Sequence, residues 1–253
     1  SQGAPGRFDA RHLAVFEQYD DPGQYVRARV RELRKREFGA SDSRIKLLII
    51  GDSYAQDIVN VVGETALNER YQMSTYSIST RCGNLFLKRD YSNLIDPVDH
   101  ALCAKRPGYE DPILQQRIKE AEEIWLASSW KDWQVDNLQE SLTNLDAASE
   151  ARVRVIGRKS FGHLLSLKDY MREYQRGNVD FINKLHPDHT RVSIAMRALL
   201  PEDRFIDTAQ MMCGSDHICR NTTDEGLLIS YDGGHLTQAG ATMMGERLLE
   251  VLK

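Results

Sequence analysis

Three residues at opposite ends of the chain have the types and spacing for nucleophilic catalysis. Ser53 ends the sequence GDS that follows an apolar run at 47–50, and Asp232 and His235 lie three residues apart near the C-terminus. A carboxylate at that spacing holds an imidazole by one ring nitrogen, and the other nitrogen then accepts the proton of a serine hydroxyl. The sequence therefore predicts a triad with Ser53 as nucleophile, His235 as general base and Asp232 as the residue that orients the base.

Each half of this pattern also has a simpler structural explanation. Ser53 could cap the helix that is predicted to follow it. Asp232 and His235 could form a polar turn that caps the last helix. Because the two halves lie at the two ends of an α/β pattern, their joint presence favours catalysis over two separate caps.

Strands and helices alternate along the chain. Short apolar runs bounded by turn residues are typical of buried parallel strands, and a serine after such a strand lies where open α/β sheets bind ligands. We predict a three-layer α/β/α fold with a central, mostly parallel five-stranded sheet. The predicted strands cover residues 47–50, 72–78, 123–130, 152–157 and 204–208. The predicted helices cover residues 55–69, 112–122, 137–150, 166–185 (as one helix or two), 190–199 and 237–252, and residues 88–111 are predicted as a loop.

Composition limits the class of protein. The 253 residues are 41% hydrophobic and 28% charged, with a formal net charge of -4. These values fit one sizeable core, and the interspersed charges argue against a nucleic-acid surface. No apolar run has the length of a membrane span and no signal peptide is visible, so we expect a soluble fragment or mature form. We expect residues 1–44 to form an N-terminal helical extension and linker, with helices over 8–19 and 25–38, and residues 45–253 to form the catalytic domain.

The four cysteines fall into two local pairs, Cys82 with Cys103 and Cys213 with Cys219. Such pairs predict two disulfides if the compartment is oxidising. Free buried thiols and a zinc site are the alternatives, and neither pair has the C-x-x-C spacing of zinc sites. The sequence HPDH at 186–189 is interpreted as a surface loop, so we predict no metal site and no cofactor.

The two ends of the chain resemble the SGNH (GDSL-like) hydrolase superfamily. The resemblance rests on LIIGDSY at 48–54, on the late pair Cys213 and Cys219, and on DGGHLT at 232–237 followed by Gly240. It is closest to the SGNH domains fused to acyltransferase-3 membrane proteins of bacteria, and it extends over residues 45–252.

The resemblance implies an oxyanion hole made by backbone N–H groups. We expect Ser53 and Gly83 to supply them, with Cys82 as an alternative to Gly83 and with a simple turn as the other interpretation of Gly83. The superfamily carries Gly-x-Asn-Asp after the third strand, whereas this chain has SSWKDW at 128–133. The third donor is therefore missing, or it comes from Ser129 or a backbone amide.

Aromatic residues near these motifs are candidate substrate contacts. Trp130 and Trp133 could stack on a sugar ring, with packing in the core or under a lid as the equal alternative. Tyr54, next to the predicted nucleophile, is the third candidate.

The resemblance also implies an activity. It is that of a serine-dependent O-acetyltransferase that forms acyl-Ser53 and acetylates a bacterial surface polysaccharide. A membrane acyltransferase-3 domain would deliver the acyl group, and this chain would be the periplasmic, soluble part of an inner-membrane protein. Two alternatives stay open: a free-standing carbohydrate acetylesterase with the same triad, and a degenerate domain that binds glycan without chemistry.

Overall fold

The computed structural model describes residues 8–20, 22–162, 166–178, 181–185 and 187–252. Its strands are β1 (Ile45–Gly51), β2 (Tyr71–Ser77), β3 (Glu123–Ala127), β4 (Arg152–Ile156), β5 (Ile182–Lys184), β6 (Phe205–Ile206) and β7 (Ile218–Arg220). Its helices are α1 (Ala10–Asp20), α2 (Pro22–Leu33), α3 (Ser53–Gly63), α4 (Leu67–Arg70), α5 (His100–Cys103), α6 (Pro112–Glu120), α7 (Asp132–Val135), α8 (Leu138–Asp146), α9 (Leu167–Gln175), α10 (Pro187–Leu199), α11 (Thr208–Cys213) and α12 (Gln238–Val251). None of these helices is long and apolar enough to cross a membrane.

The central sheet has five parallel strands, the number that was predicted, and their order is β2-β1-β3-β4-β6. Strand β1 lies inside the sheet between β2 and β3, and its residues Leu47 to Ile50 are fully buried. Parallel pairing brings the carboxyl ends of neighbouring strands to one edge, where α/β folds place their sites. A separate antiparallel pair is formed by β5 and β7.

Helices cover both faces of the sheet. Leu47 and Ile49 point to a core that also contains residues of α2, α3 and α12, and Leu48 and Ile50 point to a second core with residues of α6, α8 and α10. Side chains alternate between faces along a strand, so a run that is apolar at every position requires cover on both sides. The predicted three-layer α/β/α fold is confirmed.

Both predicted disulfides are present. Cys82 is bonded to Cys103, and Cys213 is bonded to Cys219, so the free-thiol and zinc alternatives do not describe these cysteines. The first bond joins the segment after β2 to α5, and the second joins α11 to β7.

The helix predicted over 166–185 is wrong in its second half. Helix α9 ends at Gln175, and Gly177 follows with a φ of 87°. Residues Ile182–Lys184 are a strand because they pair with Ile218–Arg220. That partner is distant in sequence, so local periodicity could not reveal the pairing.

Other element boundaries also differ from the prediction: α10 begins at Pro187, inside the segment 186–189 that was interpreted as a surface loop, and β3 ends at Ala127. Helix α2 ends at Leu33 rather than 38, because Arg34 pairs with Thr75 and the chain then follows β2. The helix predicted over 55–69 divides into α3 and α4, and strand β6 is cut to two residues because Asp207 caps α11. The predicted loop 88–111 contains α5 and two 3-10 turns, Ser92–Leu94 and Pro97–Asp99.

The N-terminal helices pack on the rest of the protein. Val30 and Leu33 of α2 belong to the core that also contains α3 and α12, and Arg29 forms an ion pair with Glu64 at 3.0 Å. The domain boundary between residues 44 and 45 stays a prediction.

Candidate active site

Ser53 is the first residue of α3, directly after the carboxyl end of β1. Asp52 caps this helix, since its Oδ1 accepts the N–H of Tyr54 at 2.8 Å. The capping role that Ser53 could have had therefore belongs to its neighbour. Within the described residues, neither the N–H nor the hydroxyl of Ser53 is hydrogen-bonded, so both groups are available to a substrate.

Gly51 makes the turn before Ser53 possible. Its φ is 153°, and a Cβ at this position would lie 1.7 Å from the carbonyl oxygen of Ala127. Only glycine lets β1 and β3 approach this closely. The nucleophile position is thus fixed by the packing of two central strands.

Asp52 also fixes the exit of β3. Its Oδ2 accepts the N–H of Ser129 at 2.9 Å and the hydroxyl of Ser128 at 3.2 Å. Burial raises the pKa of Asp52, and these hydrogen bonds act in the opposite direction. The Ser129 amide, one of the candidates for a third oxyanion donor, is therefore already engaged by Asp52.

Asp232 and His235 are in direct contact. Asp232 Oδ2 lies 2.7 Å from His235 Nδ1, and Asp232 Oδ1 accepts the N–H groups of Gly234 at 2.8 Å and His235 at 2.7 Å. The carboxylate thus binds both the ring and the backbone of the same turn. This geometry leaves His235 Nε2 for another partner, as the predicted base requires.

The pKa values of this pair move in opposite directions. The hydrogen bond to Asp232 raises the pKa of His235 above 6.5, against the effect of burial. Burial alone would raise the pKa of Asp232, but the hydrogen bonds from the His235 ring, the His235 N–H and the Gly234 N–H bring it well below its usual range. Asp232 is therefore ionised at neutral pH and stabilises the imidazolium form of His235.

His235 lies next to the turn that carries Ser53. The ring centroids of His235 and Tyr54 are 5.8 Å apart in an edge-on arrangement. Within the described residues, Ser53 and His235 share no hydrogen bond. Such bonds are often long without substrate and tighten when it binds.

A buried ion pair connects α3 to the loop of His235. Lys159, after β4, lies 2.5 Å from Oδ2 of Asp57, which is one turn beyond Ser53 on α3. Lys159 Nζ also donates to the carbonyl of Gly234, and Asp57 Oδ1 accepts the N–H of Leu236 at 3.4 Å. Burial raises the pKa of Asp57, and the charges of Lys159 and His235 oppose that shift. The pair thus contacts the residues on both sides of His235.

The predicted oxyanion donor Gly83 is in a turn with a φ of 89°. Its N–H donates to Thr80 O at 3.3 Å, and the alternative donor, the Cys82 N–H, donates to Ser79 O at 2.9 Å. A Cβ on Gly83 would lie 2.5 Å from the Trp133 ring, so glycine is also required for packing. The role of Gly83 in an oxyanion hole stays a prediction, and of the predicted donors only the Ser53 N–H lacks a partner among the described residues.

The three aromatic candidates have different surroundings. Trp130 is fully buried and donates its indole N–H to Ile156 O at 2.8 Å, so it presents no face to a sugar and the packing alternative describes it. Trp133 is half-buried against Gly83, with the Tyr91 ring 6.4 Å away. Tyr54 is half-buried, and Lys159 Nζ lies 3.6 Å from its ring centroid.

The roles of Asp52 and Asp57 were not predicted from the sequence. A signal for Asp57 was present: it is a charged residue inside a helix whose other buried residues are mostly apolar, which calls for a buried partner. The partner Lys159 could not be assigned, because it follows a different strand. The described residues contain no group of three or more His, Cys, Asp or Glu that could hold a metal, and His186 and the side chains at 188 and 189 lie outside them.

Residues 19–250 match the model of the family described as "SGNH domain (fused to AT3 domains)". The chain belongs to this family. The matched residues include all of α2 and the end of α1, so the match begins earlier in the chain than the motifs that carry the resemblance.

The fold has a counterpart among solved structures. The periplasmic domain of a lipopolysaccharide acetyltransferase from Salmonella ser. Paratyphi A is similar with a TM-score of 0.64, over 94% of this chain and 97% of that chain. The two sequences are 17% identical, so the likeness shows a shared fold. No curated protein matches this chain in sequence.

Proposed function

We propose that this SGNH domain is a serine-dependent O-acetyltransferase that acetylates a bacterial surface polysaccharide through acyl-Ser53. The observation that carries the proposal is the contact between Asp232 and His235, made in a loop that lies against the Ser53 turn. The family is described by its fusion to AT3 domains, and a domain of the same fold comes from a lipopolysaccharide acetyltransferase. Both facts support transfer to a glycan.

The first half-reaction forms the acyl enzyme. Ser53 Oγ attacks the carbonyl carbon of an acetyl ester while His235 Nε2 takes the hydroxyl proton. Asp232 stabilises the imidazolium that forms, and the Ser53 N–H is aimed at the developing oxyanion, together with Gly83 if its turn opens. The tetrahedral intermediate then expels the donor alkoxide, which receives the proton from His235.

The second half-reaction transfers the acetyl group. His235 takes the proton of a sugar hydroxyl, whose oxygen attacks the carbonyl of acyl-Ser53. The intermediate breaks the bond to Ser53, and His235 returns its proton to the serine. An AT3 membrane domain would supply the acetyl ester, and the chain would then act in the periplasm, as the domain in the similar structure does.

Two other functions use the same residues differently. An acetylesterase would pass the acetyl group to water instead of a sugar. A binding domain would not need the chemistry, and the sequence SSWKDW in place of Gly-x-Asn-Asp fits that alternative. The ordered Asp232–His235 contact favours an enzyme, because a glycan-binding surface has no need of an oriented base.

A simple ester assay separates these functions. Wild type, Ser53→Ala and the matched control Ser43→Ala are incubated with 4-nitrophenyl acetate, with and without a bacterial oligosaccharide. We expect nitrophenol release that is lost only in Ser53→Ala, and acetylated oligosaccharide detected by mass spectrometry. Acetate alone would indicate the esterase. Equal release by Ser53→Ala and wild type would contradict the serine mechanism.

A further inference from the structure

A cavity of about 870 Å³ opens at the carboxyl end of β2. Its lining includes Gln56 of α3, which is three residues beyond Ser53 and therefore on the same helix face. It also includes Ser77, the β2 residue that pairs with Gly51, and the predicted oxyanion residue Gly83. The cavity thus lies at the edge of the sheet that carries the Ser53 turn.

The cavity and the base lie on different sides of α3. Tyr54 and Asp57 face the loop of His235, whereas Gln56 faces the cavity. A substrate in the cavity would therefore reach Ser53 without displacing His235. This is the arrangement that a glycan acceptor needs if the base is to stay in place during transfer.

The outer wall of the cavity is held in place by several bonds. The Cys82–Cys103 disulfide crosses it, and Arg81 forms an ion pair with the buried Asp99 next to it. His100 Nε2 lies 3.1 Å from the carbonyl oxygens of both Ser92 and Ile95. A wall fixed before binding reduces the entropy lost when a ligand is bound.

The two carboxylates of the lining accept hydrogen bonds from residues of their own loops. Asp90 accepts the N–H of Ser92 at 2.9 Å and its hydroxyl at 3.1 Å, and Glu110 accepts the N–H of Gly108 at 2.9 Å. Neither carboxylate forms an ion pair within the described part of the chain.

The basic groups differ from one another. Arg89 is bound to Glu140 at 3.0 Å, so its charge is neutralised. Arg34 and Arg106 also line the cavity, and among the residues that the structure describes their guanidinium groups have no ion-pair or hydrogen-bond partner. Two guanidinium groups that form no ion pair therefore border a polar cavity, whose carboxylates Asp90 and Glu110 are instead hydrogen-bonded to their own loops. Guanidinium binds carboxylate and phosphate with paired hydrogen bonds.

An aromatic surface completes the lining. Tyr91 borders the cavity, and its ring is 6.4 Å from Trp133, which covers Gly83. Such faces pack on the apolar side of a sugar ring.

We propose that this cavity binds the acceptor glycan through an acidic group, a uronate carboxylate or a phosphate, carried by a sugar near the one that is acetylated. Arg34 and Arg106 bind the anion, and Tyr91 packs on the sugar ring. This inference rests on the proposed function, since it names the class of acceptor that the Ser53 site takes.

Direct binding tests the proposal without requiring catalysis. Trigalacturonate, phosphorylated maltotriose and neutral maltotriose are titrated against the 253-residue protein by calorimetry. Ser53→Ala is titrated in parallel to show that binding does not depend on the nucleophile. The variants are Arg34→Gln and Arg106→Gln, and the matched control is Arg31→Gln, an exposed arginine of α2 outside the lining.

We expect at least one acidic saccharide to bind more tightly than maltotriose, with the stronger one identifying carboxylate or phosphate. Arg34→Gln and Arg106→Gln should each weaken it about tenfold, the loss expected for one hydrogen bond to a charged group, while Arg31→Gln binds like wild type. Equal binding of acidic and neutral saccharides, an equal loss in Arg31→Gln, or no binding of any probe would overturn the proposal. If one of these results is found but ester cleavage still depends on Ser53, the binding proposal is overturned and the proposed function is not.

Discussion

Lys159 Nζ lies 2.5 Å from Asp57 Oδ2, and both side chains are buried directly beneath the loop of His235. The pair joins three parts of the fold: the start of α3, the segment after β4 and the loop before α12. Each member also binds the backbone beside His235, so we expect the pair to position the His235 ring relative to Ser53.

Removal of one member of this pair should be costly. Lys159→Met leaves Asp57 buried without its partner, and such a change typically costs about 3–5 kcal/mol of unfolding free energy. Urea unfolding of wild type and Lys159→Met measures this loss. A loss below about 1 kcal/mol would contradict the ion pair.

The double variant Asp57→Leu/Lys159→Met separates positioning from stability. Replacing both charges with apolar groups should recover most of the lost unfolding free energy. The kcat for 4-nitrophenyl acetate should nevertheless remain below that of wild type. Gly234 O has lost its donor, Lys159 Nζ, and the Leu236 N–H has lost its acceptor, Asp57 Oδ1. A double variant with wild-type kcat would show that the pair serves folding alone.

The pH dependence of ester cleavage should follow the raised pKa of His235. A general base must be neutral, so kcat/KM rises with pH and reaches half its plateau above pH 6.5. In Asp232→Asn the hydrogen-bonded carboxylate is gone, so this midpoint should fall while kcat drops by up to about 10⁴-fold. A midpoint unchanged by Asp232→Asn would contradict the assigned role of Asp232.

The raised pKa of His235 should also make the unfolding free energy depend on pH. A histidine whose pKa is raised by folding stabilises the protein fully below its unfolded pKa, and this contribution disappears as pH rises through the folded pKa. The difference in unfolding free energy between wild type and His235→Gln should therefore shrink above pH 6.5. Urea unfolding from pH 5 to 9 measures it, and a difference that grows with pH would contradict the shift.

The Gly51 turn can be tested against a matched glycine. Gly51→Ala and Gly177→Ala both place alanine at a positive φ, which costs about 1–2 kcal/mol. Only Gly51→Ala also forces a Cβ against Ala127 O, since nothing lies within 4 Å of a Cβ at Gly177. Thermal unfolding should show a clearly larger loss for Gly51→Ala, and equal losses would contradict the close approach of β1 and β3.

Much of the fold could be predicted because its signals are local. The apolar run at 47–50 and the turn that follows it specify a buried strand and the position of Ser53. The contact of Asp232 with His235 could be predicted because the two residues are three apart.

The rest depends on contacts between distant residues. The pairing of β5 with β7, the ion pair of Asp57 with Lys159, and the placement of Trp130 in the core all join segments far apart in the chain. Residue type alone does not distinguish a buried Trp130 from a half-exposed Trp133. Only the fold decides which of them is buried.

The central claim is that Ser53 carries the acetyl group. Wild type, Ser53→Ala and Ser43→Ala are mixed with 4-nitrophenyl acetate, quenched in acid, digested and analysed by peptide mass spectrometry. In wild type and in Ser43→Ala, we expect one acetyl group on the peptide that contains Ser53. When oligosaccharide is added, this acetyl group should leave the peptide and be found on the sugar. Two results would contradict this claim. One is acetylated sugar formed by Ser53→Ala, and the other is acetylated sugar formed by wild type with no acetyl group found on the Ser53 peptide.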